Sequence, residues 1–188
     1  HKVQILNADK AGAIETVVYP AASVNFSYRL SSNQLGTKAN DLIAGTAQSD
    51  TIRGLDGNDY IDAGKGNDLI IGGRGKDLLF GRDGADAFKL EKTTDSLVGV
   101  EDELVDFEPG IDKIDLSALD ANTKIKGIQL FAFSETGPAA NAVWFGEGVE
   151  DFGLRLLGDV NGDAKADFAV ELAGISSPLA SSDLIGLL

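Results

Sequence analysis

Six aspartates recur at intervals of nine residues, an arrangement of carboxylates that can hold a metal ion. The nine-residue blocks run from residue 36 to residue 89, and each carries aspartate at its sixth place: Asp41, Asp50, Asp59, Asp68, Asp77 and Asp86. Carboxylates that face one another on stacked turns repel unless a cation lies between them. Oxygen ligands from carboxylates and glycine-rich turns, with no Cys and only one His in the chain, favour calcium over a transition metal.

The same blocks carry the signals of the element that must position these aspartates. A large apolar residue follows each aspartate by two places: Ile43, Ile52, Ile61, Ile70, Leu79 and Phe88. Glycine opens every block except the fourth, which opens with Ala63, and glycine also holds the fourth place of the last four blocks. Each block therefore predicts a tight turn followed by a short strand with one side chain in the core. One block cannot bury that side chain alone, so successive blocks must wind and stack.

Two blocks make one coil, so aspartates 18 residues apart are expected to face each other. The predicted pairs are Asp41/Asp59, Asp50/Asp68, Asp59/Asp77 and Asp68/Asp86. Backbone carbonyls from the first to fourth places of the turns should complete each site, and the candidates are Gly45, Gly54, Asp56, Gly57, Ala63, Lys65, Gly66, Gly72, Arg74, Gly75 and Gly84. The first two blocks depart from the pattern, because Ala39 and Gln48 replace the fourth-place glycine. A flexible Gly/Asp-rich linker is the alternative, but a linker would not keep a large apolar residue at the same position of every nine-residue block.

Two stretches resemble known families. The blocks GLDGNDYID, AGKGNDLII and GGRGKDLLF resemble the glycine-rich nonapeptide repeats of RTX (repeats-in-toxin) proteins, which form calcium-binding parallel β-helical coils. Residues 102–119, DELVDFEPGIDKIDLSAL, are similar to a signature of the C-terminal domain of serralysin-type secreted metalloproteases, and related runs occur in the R-modules of alginate epimerases. The resemblance implies an all-β fold, with a right-handed parallel β-roll followed by a C-terminal antiparallel β meander or sandwich. It also implies that Asp102 closes the last calcium site; a solvated loop acid is the alternative.

Three regions are predicted. Residues 1–35 contain strand-like stretches at 3–6, 16–19 and 24–28, which either cap the roll or form the edge of an upstream domain. Residues 36–89 form the roll, and residues 90–188 form the serralysin-like β region. Within the last region, apolar clusters at 128–133, 142–145, 154–157 and 168–172, separated by Gly, Pro and Asn, predict the meander. Trp144 is expected in the core rather than as a sugar-stacking surface.

Two C-terminal stretches carry weaker signals. Residues 159–168 have acids at EF-hand spacing, but Ala164 and Val170 stand where that loop needs glycine and glutamate. An acid-capped β-turn, similar to a hairpin of the serralysin C-terminal domain, is therefore favoured over a calcium site. Residues 180–188 end in an acid followed by an apolar tail, which is similar to the C-terminal recognition end of type I secretion substrates.

Composition limits the function. The 188 residues carry a formal charge of −14, and residues 90–188 hold 19 acids against 6 bases. This balance disfavours nucleic acids and anionic membranes, which need Lys/Arg clusters. No apolar run is long enough to span a bilayer, so membrane insertion is not expected. His1 is the only histidine, so no base is available for a catalytic Ser-His arrangement and we expect no catalytic residues. Residue 1 does not begin a signal peptide, so we expect either a fragment or a chain that is exported by another route.

The leading hypothesis is a calcium-binding module that drives the folding and type I secretion of an extracellular bacterial enzyme. Its predicted partners are an upstream catalytic domain of the same chain and the secretion machinery. The alternative is a module that binds polysaccharide or mediates adhesion. A basic face for that role would come from Arg53, Lys65, Arg74, Lys76 and Arg82.

Overall fold

The computed structural model describes residues 2–6, 14–18, 25–26, 33–148, 153–175 and 179–188. The described residues form seventeen strands and a single turn of 3-10 helix at Ser181–Asp183. The strands are β1 Lys2–Leu6, β2 Ile14–Val18, β3 Asn25–Phe26, β4 Asn33–Leu35, β5 Asp41–Ala44, β6 Thr51–Asp56, β7 Tyr60–Asp62, β8 Leu69–Arg74, β9 Leu78–Phe80, β10 Ala87–Lys89, β11 Asp102–Leu104, β12 Lys113–Asp115, β13 Ala132–Phe133, β14 Ala142–Glu147, β15 Gly153–Gly158, β16 Phe168–Ala173 and β17 Leu184–Ile185. None of the helical structure in these ranges could cross a membrane.

The repeat folds into two parallel walls, as the spacing predicts. Strands of odd-numbered blocks pair with each other 18 residues apart, so that Ile43 lies beside Ile61 and Ile61 beside Leu79. Even-numbered blocks pair in the same way on the opposite wall, where Ile52 lies beside Ile70. The first wall belongs to a nine-stranded sheet with the order β13-β14-β15-β16-β11-β9-β7-β5-β3, and the second to a six-stranded sheet with the order β17-β12-β10-β8-β6-β4. The all-β parallel β-roll is therefore confirmed.

The core lies between the two sheets. Each short strand buries its middle residue and leaves its neighbours partly exposed, because alternate side chains of a strand point to opposite faces. The eighth-place residues Ile43, Ile52, Ile61 and Ile70 are fully buried. Burial of each such side chain contributes about 1.5–3 kcal/mol, and glycine-rich turns need this contribution because they lose much conformational entropy on folding.

The N-terminal strands continue both sheets. Strand β3 pairs in parallel with β5, and β4 pairs in parallel with β6. Strands β1 and β2 form a separate antiparallel pair. The rest of the predicted strand at 24–28, and residue 19 of the predicted strand at 16–19, lie outside the described residues. The proposed cap or domain edge at residues 1–35 stays a prediction.

The C-terminal meander is present but differs from the prediction in two ways. Strands β14, β15 and β16 are antiparallel neighbours, as expected. The first predicted strand, residues 128–133, is reduced to Ala132–Phe133 and pairs in parallel with β14. In addition, β16 pairs in parallel with β11, so the meander extends a wall of the roll and covers an edge that would otherwise expose unpaired backbone groups. Trp144 is buried, as expected of a core residue.

The C-terminal segment is also part of the roll. Strand β17 pairs in parallel with β12, and the Phe131 N–H donates to the Gly186 carbonyl. Leu184 is buried, and so is Asp183, which accepts hydrogen bonds from the backbone N–H groups of Gly110 and Ala180. The tail therefore closes the six-stranded sheet.

Candidate metal centre

The repeat aspartates form two buried ladders, one along each wall of the roll. The backbone N–H of each aspartate donates to Oδ1 of the aspartate one coil later. The distance is 2.8 Å for Asp41 to Asp59, Asp50 to Asp68, Asp59 to Asp77 and Asp68 to Asp86. All six side chains are at most 3 % exposed. The structure therefore brings together the four aspartate pairs that the sequence spacing indicates.

The second oxygen of most of these carboxylates lacks a donor. Oδ2 of Asp59, Asp68, Asp77 and Asp86, and Oδ1 of Asp50, are buried and accept no hydrogen bond from the described residues. A buried carboxylate oxygen without a donor or a cation costs several kcal/mol. A row of such oxygens is the arrangement expected of metal ligands rather than of structural hydrogen bonds.

First-place glycines keep open the space beside these oxygens. A Cβ added to Gly54 would overlap both Asp59 Oδ2 and the Gly72 carbonyl oxygen of the next coil. Cβ atoms added to Gly72 and Gly81 would likewise overlap Oδ2 of Asp77 and Asp86. The fourth block carries the methyl group of Ala63 at this place, buried in the turn. Carboxylate oxygens without a donor and backbone carbonyl oxygens thus converge on the turns, and calcium prefers such an all-oxygen set.

The remaining predicted ligands lie in the same turns. The third-place side chains point outward, since Arg74 is exposed and the Lys65 side chain pairs with Asp83 at the surface. Only their backbone carbonyls could face a metal. Fourth-place glycines have positive φ, namely 131° at Gly57, 124° at Gly66, 140° at Gly75 and 156° at Gly84, and a Cβ on Gly75 would overlap the Gly57 carbonyl. Glycine is therefore required there for close stacking of the coils.

No larger cluster of side chains competes with this arrangement. Within the described ranges, no three His, Cys, Asp or Glu side chains surround a common point that could hold a metal. Any ion in these turns would therefore depend on two facing aspartates together with backbone carbonyls. The donor set fits calcium, which accepts carbonyl oxygens readily.

The first two turns differ from the later ones, at the blocks that lack the fourth-place glycine. The N–H and Oγ1 of Thr37 donate to the two carboxylate oxygens of Asp41, and Thr46 donates both groups to Oδ2 of Asp50. The protein itself therefore satisfies both oxygens of Asp41 and one oxygen of Asp50. Oδ1 of Asp50 stays open, and each of the four later blocks leaves the buried Oδ2 of its aspartate open.

Both ladders extend beyond the repeats. The Asp77 N–H donates to Asp102 Oδ1 at 3.0 Å, and the Asp86 N–H donates to Asp112 Oδ1 at 2.9 Å. Asp102 and Asp112 are buried, so the solvated-loop interpretation of Asp102 is wrong. Asp112 was not among the ligands predicted from the sequence. Its signal was the spacing Asp112-Lys113-Ile114, which repeats the aspartate and apolar places of the blocks.

A second ladder at the fifth place was also missed. Asn40 Oδ1 accepts from the Asn58 N–H at 2.8 Å, and Asn58 Oδ1 accepts from the Lys76 N–H at 3.0 Å. Ser49 and Asn67 do the same on the other wall. These side chains reach toward the following coil, whereas the aspartates reach toward the preceding one. The Asn-Asp dipeptides at 40–41, 58–59 and 67–68 are the sequence signal of this double ladder.

Burial changes the acidity of the ladder. It raises the pKa of Asp59 and Asp77 to about 7, and of Asp68 and Asp86 to about 6. Neighbouring carboxylates add to this rise, while the backbone N–H bonds to Oδ1 oppose it. A metal-free roll therefore tends to hold protons where a metal-loaded roll would hold cations.

The loop at 159–168 needs no metal. Asp159 accepts hydrogen bonds from the backbone N–H groups of Asn141, Asn161, Gly162 and Ala164. Asp167 accepts from the Val160 N–H and the Asn161 side chain. None of the aspartate oxygens in this loop is both buried and without a donor. The loop is thus an acid-capped turn.

Stacked nonapeptide coils with a buried aspartate ladder define a calcium-binding β-roll of the RTX type. The chain matches the family described as Peptidase M10 serralysin C terminal over residues 24–186, and it belongs to that family. The family is named for the C-terminal part of a peptidase. No match was found among curated protein sequences.

Two solved structures share the fold. The AlgE6R3 subunit of the Azotobacter vinelandii mannuronan C5-epimerase is 30 % identical with a TM-score of 0.57, over 78 % of this chain and 79 % of its own. The AlgE6R2 subunit of the same epimerase is 25 % identical with a TM-score of 0.61, over 81 % of this chain and 92 % of its own. Both are similar to this chain along most of its length.

Proposed function

We propose that this chain is a non-catalytic module whose roll folds when calcium binds between its coils. The observation that carries the proposal is the row of buried, donor-less Oδ2 atoms at Asp59, Asp68, Asp77 and Asp86. These atoms would ligate the ions together with first- and third-place carbonyls, and Asp102 and Asp112 would close the last site of each wall. Calcium supplies the positive charge that the facing carboxylates lack.

The energy scale favours coupling of binding to folding. A site held at a hundred times its dissociation constant adds about 2.7 kcal/mol to the free energy of unfolding. The whole free energy of unfolding of a domain is about 5–15 kcal/mol. Two or more filled sites therefore supply a sum comparable to the stability of the fold, since binding energy of a site that exists only in the folded state is folding energy.

This coupling suits a protein that is exported unfolded. Where calcium is scarce, the acidic, glycine-rich chain packs poorly and can pass a narrow type I exporter. Outside the cell, where calcium is plentiful, the ions can bind, since extracellular modules typically have dissociation constants of about 10⁻⁴–10⁻³ M. We infer an extracellular location and a catalytic domain upstream in the same chain, and the family resemblance of the C-terminal tail supports export.

The test is a calcium titration of the full chain followed by far-UV circular dichroism and thermal melting. We expect a cooperative gain of β signal and a rise in melting temperature from EDTA to millimolar calcium, with magnesium as the control ion. An unchanged spectrum and melting temperature in EDTA would sink the calcium-driven proposal.

Binding of an acidic polysaccharide is the second candidate function. The specific observation in its favour is a group of cations in one cleft of an otherwise acidic protein. The name of the similar mannuronan C5-epimerase subunits is consistent with a carbohydrate ligand. Lys65 and Arg82, two members of the predicted basic face, pair with Asp83 and Asp62 instead.

A further inference from the structure

Large apolar side chains are exposed together on two loops at one end of the nine-stranded sheet. The first loop is the valine tip, residues 97–100 with the sequence LVGV, and the second is the lysine loop, residues 122–130. Exposed apolar side chains that cluster in this way mark interaction surfaces, whereas scattered ones are ordinary. Of the eleven large apolar side chains that are exposed in the described residues, six lie on these two loops: Leu97, Val98, Val100, Ile125, Ile128 and Leu130.

Both loops are anchored beside Phe168, the first residue of β16. Leu97 forms an antiparallel bridge with Phe168. The Phe168 ring packs edge to face against Phe131, which follows the lysine loop, with the ring centroids 5.7 Å apart. Thr123 of the lysine loop donates its N–H to the Val160 carbonyl, just after β15 ends beside Phe168. The two loops therefore extend from the same end of the sheet, where β16 begins and β15 ends.

Hydrogen bonds hold both loops in place, so their apolar side chains are presented on a fixed backbone. In the valine tip, the Gly99 N–H donates to the buried carboxylate of Glu101. The lysine loop is closed at its base, where the Ala121 N–H donates to the Gln129 carbonyl. A Cβ added to Gly99 would meet nothing within 4 Å, and one added to Gly127 would meet only the Gln129 side chain at 3.7 Å. Both turns thus project into open space and do not line a pocket.

The charge of this surface differs from that of the rest of the chain. Residues 121–134 hold two lysines and no acid, and the valine tip carries no charge, on a chain with a net charge of −14. Lys124 and Lys126 are exposed, and their side chains make no ion pair or hydrogen bond with the described residues. On the neighbouring turn, the exposed Asp163 and Lys165 offset each other. Because charges are screened beyond about 8 Å at physiological ionic strength, the two unpaired lysines determine what this surface attracts.

We propose that the valine tip and the lysine loop together dock the protein on an anionic lipid surface. The apolar side chains would enter the interfacial region of the bilayer, and Lys124 and Lys126 would contact the headgroup phosphates. Apolar and basic side chains side by side are the groups by which peripheral proteins bind anionic bilayers. A lipid interface also accepts projecting side chains without a pocket of matching shape. Such docking is peripheral and needs no membrane-spanning segment.

Two kinds of protein partner fit this surface less well. In a symmetric dimer the same surface meets itself, so Lys124 and Lys126 of one copy would approach those of the other. An acidic peptide would pair with the lysines but would leave Val98 and Val100 in water. Neither loop supplies a residue of the aspartate ladders, so lipid docking goes beyond calcium-dependent folding and can fail independently of it.

Binding of the full chain to lipid vesicles, measured by flotation in a density gradient at one fixed free-calcium concentration, tests this surface. Vesicles of phosphatidylcholine with phosphatidylglycerol are compared with vesicles of phosphatidylcholine alone. We expect the wild type to bind the anionic vesicles about tenfold or more tightly than the neutral ones, because each lysine near an anionic surface strengthens binding about fivefold. Equal binding to both vesicles, or no binding to either, would overturn the proposal.

Two double variants separate the apolar contribution from the charged one. Val98→Ser/Ile128→Ser should weaken binding to the anionic vesicles about tenfold or more, because two side chains that enter the interface lose their apolar groups. Lys124→Gln/Lys126→Gln should weaken binding to a similar extent and should leave binding to the neutral vesicles unchanged, because it removes only the attraction to the phosphates.

Leu35→Ser and Lys76→Gln are the matched controls, because both residues are exposed and lie outside the two loops. Weakening by these controls equal to that of the double variants would overturn the proposal. Sedimentation without lipid tests the second copy: a dimer that Val98→Ser/Ile128→Ser converts to a monomer would assign the surface to self-association instead. Calcium-dependent melting of each variant shows independently whether the folding proposal holds.

Discussion

The backbone N–H of Asp59 donates to Oδ1 of Asp77 at 2.8 Å, while Oδ2 of Asp77 remains buried without a donor. One oxygen of the carboxylate therefore joins two coils, and the other is left for a ligand. The contact recurs on both walls. Each aspartate thus couples the stacking of the backbone to the binding of a cation.

Replacement of Asp59 by Asn should have opposite effects with and without calcium. In EDTA, Asp59→Asn should increase the β signal, because the amide retains the Oδ1 contact and can donate to the Gly72 carbonyl instead of repelling it. In calcium, the same variant should lower the melting temperature, because Asp59 serves two predicted sites. Far-UV circular dichroism and thermal melts measure both effects.

Asp41→Asn is the matched control for this pair of effects. Thr37 already donates to both carboxylate oxygens of Asp41, so the change should give no gain in EDTA. It should also cost less than Asp59→Asn in calcium, since Asp41 serves one predicted pair. A loss of β signal by Asp59→Asn in both conditions would contradict the metal-ligand interpretation.

The metal-free protein should be more stable at pH 5 than at pH 8. Because burial raises the pKa of Asp59 and Asp77 from 3.8 to about 7, the folded state binds more protons than the unfolded state between these values. Stability is then greatest at the acid end of this window and falls as the pH rises through about 7. Asp68 and Asp86 act in the same direction.

Urea unfolding of calcium-stripped protein at several pH values tests this slope. The double variant Asp59→Asn/Asp77→Asn should flatten the slope, because it removes two of the titrating groups. Calcium should reverse the trend, since its ligands must be deprotonated. Stability of the stripped protein that rises from pH 5 to pH 8 would be inconsistent with the buried, uncompensated ladder.

Asn58→Ala should destabilise the calcium-loaded roll by about 0.5–1.5 kcal/mol, the net value of one hydrogen bond. Its Oδ1 accepts the Lys76 N–H on the next coil, and alanine removes the acceptor. Lys76→Ala is the control, because its side chain makes no bond while its N–H is retained. Equal unfolding free energies for both variants, measured in urea, would show that the asparagine ladder contributes nothing.

Deletion of residues 183–188 should abolish type I export of a fused passenger and also lower the melting temperature. The second effect follows because β17 closes the six-stranded sheet and Leu184 is buried.

Ile114→Ala separates the two effects: it opens a cavity beneath the partner strand β12 but leaves the tail sequence intact. We expect it to lower stability by about 2–5 kcal/mol with export retained, measured as passenger in the medium. Export of the passenger without residues 183–188 would show that the secretion signal lies elsewhere in the chain.

The sequence alone determined the coil and its aspartate pairs. A period of nine with one apolar residue per block leaves a single way to bury Ile43, Ile52, Ile61 and Ile70, and that stacking places Asp59 over Asp77. Glycine at the first and fourth places indicated the geometry of the turns, because the backbone conformation and the close contacts between coils at these places exclude a side chain. Such local, repeated constraints can be read without knowledge of distant contacts.

Tertiary structure decided how the roll ends and which cationic side chains at its surface are paired with acids. Asp102 and Asp112 join the ladders only because β11 and β12 continue the walls, with 25 and 26 residues replacing the regular 18. The pairing of β16 with β11, and of β17 with β12, joins segments that are tens of residues apart in the chain, which no period encodes. The same long-range folding carries segment 91–95 back over the turns, so that Lys92 meets Lys38 and Arg74 at one cleft while Lys65 and Arg82 are neutralised by Asp83 and Asp62 on neighbouring coils.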